Sequence, residues 1–324
     1  MEYSLRNVIT WLLANILIIC GCVRRAKARA MSGEFILSMY FHDPSKNEFE
    51  ACVKWFRENH FTFLSIQDVY RIIQQNLPLP KGAVLLTVDD GWKDNEKNIV
   101  EVANKYGVPV AIFVSTEAVE EGAYWWSYLK KAKDLKLRIP PKATLKMVPN
   151  DIRLSLINKI KGNVEIEREA MTIEQIRRIS ESEYITIAGH THSHPILTNC
   201  ENDQLYAELK VSKDKLQEWT GKEVSFFAYP NGDYSKKEMK ALHDLNYKLA
   251  FSSVPKPLTL QDLKNNYCLP RFGILEGASF AENLCRMMGV WKPMMLKLSL
   301  PPFKKIPPAS APAYSSKKPK VLVS

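Results

Sequence analysis

The sequence predicts an α/β fold built on parallel strands, and three observations carry that prediction. From Phe35 to Ser252, strand-length apolar runs alternate with segments of helical periodicity. Two of the runs, Ala83–Val88 (AVLLTV) and Pro109–Val114 (PVAIFV), contain no charge, the mark of strands covered on both faces. With 324 residues, 46% hydrophobic and 25% charged, the chain suffices for one large domain or two small ones.

The elements follow in order. Phe35–Phe41 reads as a strand. Asn47–Asn59 sets Phe49, Cys52, Val53 and Phe56 at helical spacing behind Ser45 as a cap. Phe61–Leu64 reads as a strand and Ile66–Gln75 as a helix stopped by Asn76-Leu77-Pro78. Strand Ala83–Val88, helix Asn95–Tyr106 and strand Pro109–Val114 come next. Tyr124–Ser180 is a mainly helical excursion broken at Pro140-Pro141 and Pro149. Then follow strand Ile185–Ala188, helix Asp203–Trp219, strand Ser225–Tyr229, helix Lys236–Leu245 and strand Lys248–Ser252. Repeated strand-then-helix units imply right-handed crossovers and hence a barrel or an open parallel sheet. No internal repeat interrupts the series.

Charge divides the chain into a body and two ends. Of the net +10, the segment from Arg286 to Ser324 holds eight basic residues and no acid, and Met1–Glu34 holds five basic against two acidic. The body between them is close to neutral. Nucleic-acid binding is therefore excluded, since it would need the basic residues on the folded face; basic ends suit an anionic membrane surface. Residues 289–324 form a basic tail with 7 of the 19 prolines, and Trp291, Met294, Met295 and Leu296 are its candidate lipid contacts.

Residues 1–34 form a separate hydrophobic and basic segment. Val8–Val23 is an apolar run followed at once by Arg24, Arg25, Lys27 and Arg29. A short anchor with its basic side in the cytoplasm fits the positive-inside tendency. A secretory signal lacks the preceding charge, with only Arg6 there. Ile19-Cys20-Gly21-Cys22 loosely matches a lipoprotein cleavage box, and a buried or amphipathic helix remains open. The expected location is membrane-associated, on the cytoplasmic face ahead of an exported lipoprotein. The six cysteines show no CxxC spacing and no disulfide framework.

Catalytic groups in parallel α/β folds gather where strands end. Strand Ala83–Val88 ends in Asp89-Asp90-Gly91-Trp92, Ile185–Ala188 in Gly189-His190-Thr191-His192-Ser193-His194-Pro195, Phe35–Phe41 in His42-Asp43-Pro44, and Ser225–Tyr229 in Pro230-Asn231-Gly232-Asp233. An isolated Asp-Asp-Gly is as readily a turn or a helix cap. A carboxylate with two imidazoles is a metal-ligand set that leaves positions for water and substrate. On a helical turn His190 and His194 face the same way and His192 becomes a rim residue; on a strand all three align. The glycine and proline around them favour the turn. One indole of Trp125-Trp126, assigned to Trp126, can face a sugar. No phosphate loop, nucleophile elbow or dinucleotide fingerprint is present.

Thr87-Val88-Asp89-Asp90-Gly91, His190 to His194 with Pro195 and Leu197, and Phe227-Ala228-Tyr229-Pro230-Asn231-Gly232 resemble the motifs of the NodB-homology polysaccharide deacetylases, carbohydrate esterase family 4. The resemblance runs from about Phe35 to about Cys285, giving a domain at 35–288. The entry Ile36-Leu37-Ser38-Met39-Tyr40-Phe41-His42 resembles the circularly permuted branch that de-N-acetylates poly-N-acetylglucosamine.

The resemblance implies a distorted (β/α)7 barrel with a helical insertion and one divalent metal ion, zinc first, with nickel and cobalt also suited. It implies Asp89 as general base, His42 as general acid, Asp90, His190 and His194 as metal ligands, and a backbone N–H near Asn231 for the oxyanion. The substrate implied is an amino-sugar polysaccharide or its lipid-linked glycan precursor. Where the family's third motif begins with an arginine this chain has Ala228, so Arg271 is the candidate substitute that orients Asp89. Two other readings stand beside it: a deformylase or deacylase of a lipid-linked amino sugar, and a sugar-binding relative with weak catalysis.

Overall fold

The computed structural model describes residues 5–291. Eight strands, β1 (Leu37–Phe41), β2 (Thr62–Leu64), β3 (Ala83–Val88), β4 (Val110–Val114), β5 (Ile185–Gly189), β6 (Phe226–Ala228), β7 (Leu249–Phe251) and β8 (Phe272–Gly273), form one sheet. Its order is β7-β6-β5-β4-β3-β1-β8, with β2 beside β3, and every pairing is parallel. The charge-free β3 lies in the middle, as continuous apolarity predicts for a strand covered on both faces. β1 pairs with all of it but Ala83, from Leu37↔Val84 to Phe41↔Val88. Its other edge is shared: β2 takes the first half and β4 the second.

One segment draws the sheet round on itself. The Ala250 N–H donates to the Asn266 carbonyl, and the Ser252 N–H to the Leu269 carbonyl, each at 2.8 Å. Three residues later the same segment, now β8, pairs with β1 at Met39↔Phe272. Asn266–Gly273 thus stitches β7 to β1, and the sheet becomes the distorted barrel expected of the sequence.

Strand periodicity then sorts the side chains into two sets. Val84, Leu86 and Val88 pack outward under the helices. Ala83, Leu85, Ala111, Phe113, Ala188, Ala228, Leu249 and Phe251 fill the interior. Helix Ile66–Gln74 adds Ile66, Val69 and Ile72 to the interior cluster.

The helices start where their caps predict. Ser45 opens Lys46–Glu58 with a capping box to Glu48, and Ser65, Thr172 and Ser235 do the same for Ile66–Gln74, Ile173–Ser180 and Lys236–Asp244. The expected helix over 95–106 begins as a π-helical stretch, Glu96–Val100, before Glu101–Tyr106. The excursion after β4 contains Trp125–Asp134, Lys142–Leu145, Asn150–Lys161 and Ile173–Ser180, with a small core of its own around Trp125, Leu129, Leu145 and Ile157. β8 and helix Phe280–Met287 were not read from the sequence, because a two-residue strand shows no period.

The N-terminal apolar run is not one helix. Helix Leu5–Ile19 ends at Gly21, where φ is 71°, and Cys22–Met31 leaves at 59° to it. No single described helix is long and apolar enough to cross a membrane, although the bent pair together meets the length and composition criteria. Thr10 and Ala14 are buried, and the Arg6 guanidinium binds Glu282 at 2.9 Å on helix Phe280–Met287. Trp291, expected at a lipid surface, is instead 7% exposed, with the Arg286 guanidinium 5.5 Å from its ring. Met294, Met295, Leu296 and the rest of the basic tail lie outside the described residues.

Candidate active site

The interior parity of each strand carries past its end into one cleft. Ala83 and Leu85 point inward, so Thr87 and Asp89 do as well; Ala188 leads to His190, Ile36 to Tyr40 and His42, and Leu269 to Arg271. The resulting cleft, about 410 Å³, is lined by all eight residues singled out from the sequence: His42, Asp89, Asp90, Trp126, His190, His194, Asn231 and Arg271.

Asp89 and Asp90 are separated by backbone geometry. Asp90 adopts φ 77° and Gly91 φ 90°, a double left-handed turn that reverses the alternation of the strand. A Cβ on Gly91 would approach Val114 Cγ1 to 3.1 Å, so glycine is required for space as well as for conformation. Asp89 stays on the interior side and meets Arg271, whose Nη1 and Nη2 donate to its two carboxylate oxygens at 2.7 and 2.8 Å. Arg271 also donates to Thr87 Oγ1 at 2.9 Å and to the Ser252 carbonyl at 3.1 Å, and it lies 4.6 Å from the Tyr40 ring centroid. Both members of the ion pair are buried. The arginine that pairs with Asp89 thus comes from the closing segment of the barrel.

Asp90 turns to the histidines. Its Oδ1 lies 3.5 Å from His190 Nε2 and 3.3 Å from His194 Nε2, and Trp92 Nε1 donates to its Oδ2 at 3.1 Å. One donor atom from each of the three side chains lies within 4.8 Å of the others. Burial alone would push the Asp90 carboxyl up. The His190 and His194 imidazoles and the charge of His42 overcome it, holding the carboxyl well below the usual range. Burial pulls the His194 imidazole down to about 4 against the attraction of Asp90, so it is neutral at pH 7.

This donor set fits a cation. His190 Nδ1 lies 2.7 Å from the Ala228 carbonyl, which can only accept, so Nδ1 carries the proton. In the neutral ring Nε2 is then a bare acceptor aimed at a carboxylate oxygen. Two acceptors 3.5 Å apart are reconciled by a shared metal ion, and a histidine whose far nitrogen donates to a carbonyl is the usual outer support of such a ligand.

The histidine loop reaches this geometry without a helical turn. Thr191 and His194 take φ 66° and 51°, strain of about 1–3 kcal/mol each that the surroundings must hold. Glu208 accepts from the His192 and Ser193 N–H groups at 2.9 and 2.8 Å, and Arg153 donates to Ser193 Oγ at 2.9 Å. Trp125 Nε1 donates to the His194 carbonyl at 3.1 Å. His192 is not a rim residue of the cleft: its Nδ1 lies 2.9 Å from Thr116 Oγ1. Glu208 and Arg153 escaped the sequence reading because each looks like an ordinary charged helix residue; their burial is the signal, and it is tertiary.

Three residues complete the walls. His42 stands at the end of β1 with Nδ1 3.6 Å from Glu276 Oε1. Burial lowers its affinity for a proton, but hydrogen bonding to Glu276 and the charges of Asp90, Asp89 and Glu276 outweigh that, raising the imidazole to about 9. Trp126 is half-buried, stacked on Tyr124 at 4.7 Å and edge-on to His194 at 4.7 Å; Trp125 is buried, and both indoles line the cleft. Asn231 adopts φ 55° in the turn Pro230–Gly232, and its side-chain oxygen accepts from Lys146.

Known proteins match this arrangement. The family model for polysaccharide deacetylase matches residues 76–250. YxkH of Bacillus subtilis (strain 168), whose name is that of a polysaccharide deacetylase, is 23% identical over 234 residues, 72% of this chain and 66% of that protein. The match therefore spans a little under two thirds of that relative. The deacetylase PplD of Streptococcus pyogenes, solved with acetate, shares the fold at a TM-score of 0.58 and 21% identity over 78% of this chain and 96% of its own. IcaB of Ammonifex degensii does so at 0.56 and 17%, over 80% and 98%. A family match over more than half the chain, on the segment that carries Asp89, Asp90, His190 and His194, leaves one conclusion: the protein belongs to the polysaccharide deacetylase family.

Proposed function

We propose that this protein is a metal-dependent hydrolase that removes N-acetyl groups from N-acetylhexosamine residues of a surface polysaccharide or its lipid-linked precursor. The observation that carries the reading is the Asp90, His190 and His194 set beside an Arg271-held Asp89 in one cleft. A divalent cation held there, zinc first, would polarise the acyl oxygen and acidify water. Asp89, its carboxylate locked by two hydrogen bonds, accepts the proton of the attacking water. A backbone N–H of the 230–232 turn donates to the developing oxyanion. His42, protonated at neutral pH, delivers a proton to the departing amine, which leaves as the neutral amino sugar while the acyl group leaves as acetate. The half-buried face of Trp126 supports a sugar ring beside His194.

Acetate release from N-acetylglucosamine oligomers, measured for the intact metal-loaded protein and for Asp89→Asn, tests this. Release by the first and loss in the second is expected. Binding without release by either assigns a sugar-binding role, and formate release from N-formylated sugars in place of acetate assigns a deformylase.

The same reading places the protein on an anionic membrane leaflet. Leu5, Val8, Ile9, Leu12, Ile16 and Ile19 are exposed and recur at the spacing of one helical face. Exposed Arg24 and Arg25 follow on the next helix, the pairing of apolar stripe and basic charge that suits a helix lying in the interface. Vesicles of phosphatidylglycerol should sediment the protein in a salt-sensitive way, and Ile9→Glu/Ile16→Glu should not sediment. Equal sedimentation of both, or a stripe-dependent dimer without vesicles, would overturn it.

A further inference from the structure

We propose that the substrate is acidic: Lys142 and Lys146, on the helical excursion, receive a carboxylate or phosphate oxyanion carried by the glycan next to the sugar being deacylated. This deepens the deacetylase reading and rests on it for the position of that sugar.

The argument starts from charge. The two carboxylates that line the cleft are both committed, Asp89 to Arg271 and Asp90 to the imidazoles and their cation. Lys142 and Lys146 also line it, and among the described residues neither has a carboxylate within ion-pair distance. The two ammonium groups face each other's repulsion: the Lys142 amine is lowered first by burial and then by the charge of Lys146, with only Asp90 opposing. An N-acetyl group is neutral and calls for no such charge. Two cations kept close, unpaired, at the mouth of a cleft that already holds a metal set are complementary to an anion on the ligand.

Their positions are built rather than incidental. The Lys142 ammonium lies 5.7 Å from the Trp125 ring and 5.2 Å from that of Trp126, and Trp126 in turn touches the ligand His194. Lys146 donates to Asn231, and its own carbonyl accepts from Asn199 at 2.8 Å. The short helix between them, Lys142–Leu145, is pinned by the buried Leu145. The oxyanion is thereby received two ring contacts away from the metal ligands, where a flanking sugar would extend from one seated on Trp126.

The test compares two oligosaccharides of equal length on the metal-loaded protein: a neutral chain of N-acetylglucosamine, and one in which N-acetylglucosamine alternates with glucuronate. A lipid-free diphosphate of N-acetylglucosamine serves as the phosphate arm. The intact protein should favour the acidic substrates in kcat/KM at low salt, with the advantage residing in KM and fading as salt rises. Lys142→Gln/Lys146→Gln should lower the acidic-to-neutral ratio about tenfold, and Lys142→Arg/Lys146→Arg should keep it. A ratio that is unchanged in the glutamine variant, or a preference of the intact protein for the neutral chain, overturns the proposal. Binding decides the matter separately from turnover, through the fluorescence of Trp125 and Trp126. If no substrate releases acetate, the deacetylase reading fails, while selective binding of the acidic chain, lost in the glutamine variant, still upholds the lysines.

Discussion

Replacing Arg271 by leucine isolates the contact that holds Asp89, the base in the proposed reaction. The guanidinium is 1% exposed and donates four hydrogen bonds, two of them to Asp89 at 2.7 and 2.8 Å. Without it the buried Asp89 carboxylate loses its two charged hydrogen bonds and its directly paired counter-charge. Breaking a buried pair from one side costs about 3–5 kcal/mol, whereas replacing both partners by uncharged groups of similar size is close to neutral. For a chain of this length about 2 °C of melting temperature is lost per kcal/mol, so Arg271→Leu should melt about 6–10 °C lower. The double variant Asp89→Asn/Arg271→Leu should regain at least half of that loss. Metal content, measured by elemental analysis, should stay at one ion per chain in both, since Arg271 touches none of the three ligands. Deacetylation should fall at least a hundredfold in each. Thermal melts of the four-member cycle decide the matter: additive losses in the double variant would show that the pair is not coupled, and full activity of Arg271→Leu would remove it from the site.

Asp90→Ala or His194→Ala should each bring metal content below a tenth of the intact protein's, and retained stoichiometry would sink the ligand assignment. Glu208→Ala removes the carboxylate that accepts from the Ser193 N–H and hydroxyl, at about 1–3 kcal/mol for the orphaned N–H, while the His192 N–H keeps the Glu208 main-chain carbonyl; metal affinity by competitive chelator titration should weaken about 10–100-fold, with Glu208→Gln partly restoring it. His42, raised to about 9, is a protonated donor at neutral pH and ceases to be one as pH rises through that value. Stability from its pairing is correspondingly full below about 6.5 and lost by about 9. A cation at Asp90 offsets part of the raising charge, so the alkaline limb of kcat/KM should fall at or below 9. Glu276→Gln should move that limb to lower pH, and an unmoved limb would show that His42 is not the acid.

Much of the site was readable because its groups sit at the ends of strands. Asp89-Asp90 and His190 follow apolar runs directly and His194 lies in the same loop as His190, and parallel topology brings such ends to one face. What was hidden is which side of each strand they occupy. Ala83–Val88 is apolar on both faces, so its period of two leaves no trace in hydropathy, and only the sorting of Val84 from Leu85 between outer and inner clusters reveals that Asp89 points inward. His192 illustrates the same limit. It shares its residue type and its loop with His190 and His194, yet positive φ at Thr191 and His194 turns it to Thr116 instead.

Local chemistry therefore determined the elements, the capped helix starts and the inventory of reactive side chains, since each depends on a residue and its near neighbours. Tertiary structure alone decided that Asn266–Gly273 closes the barrel, that this closure delivers Arg271 to Asp89 across 182 positions of chain, and that Glu208 and Arg153 clamp the histidine loop. Those contacts join segments far apart in sequence, and their energies come from burial and from charges taken out of water, quantities that no stretch of chain possesses before it is folded against another.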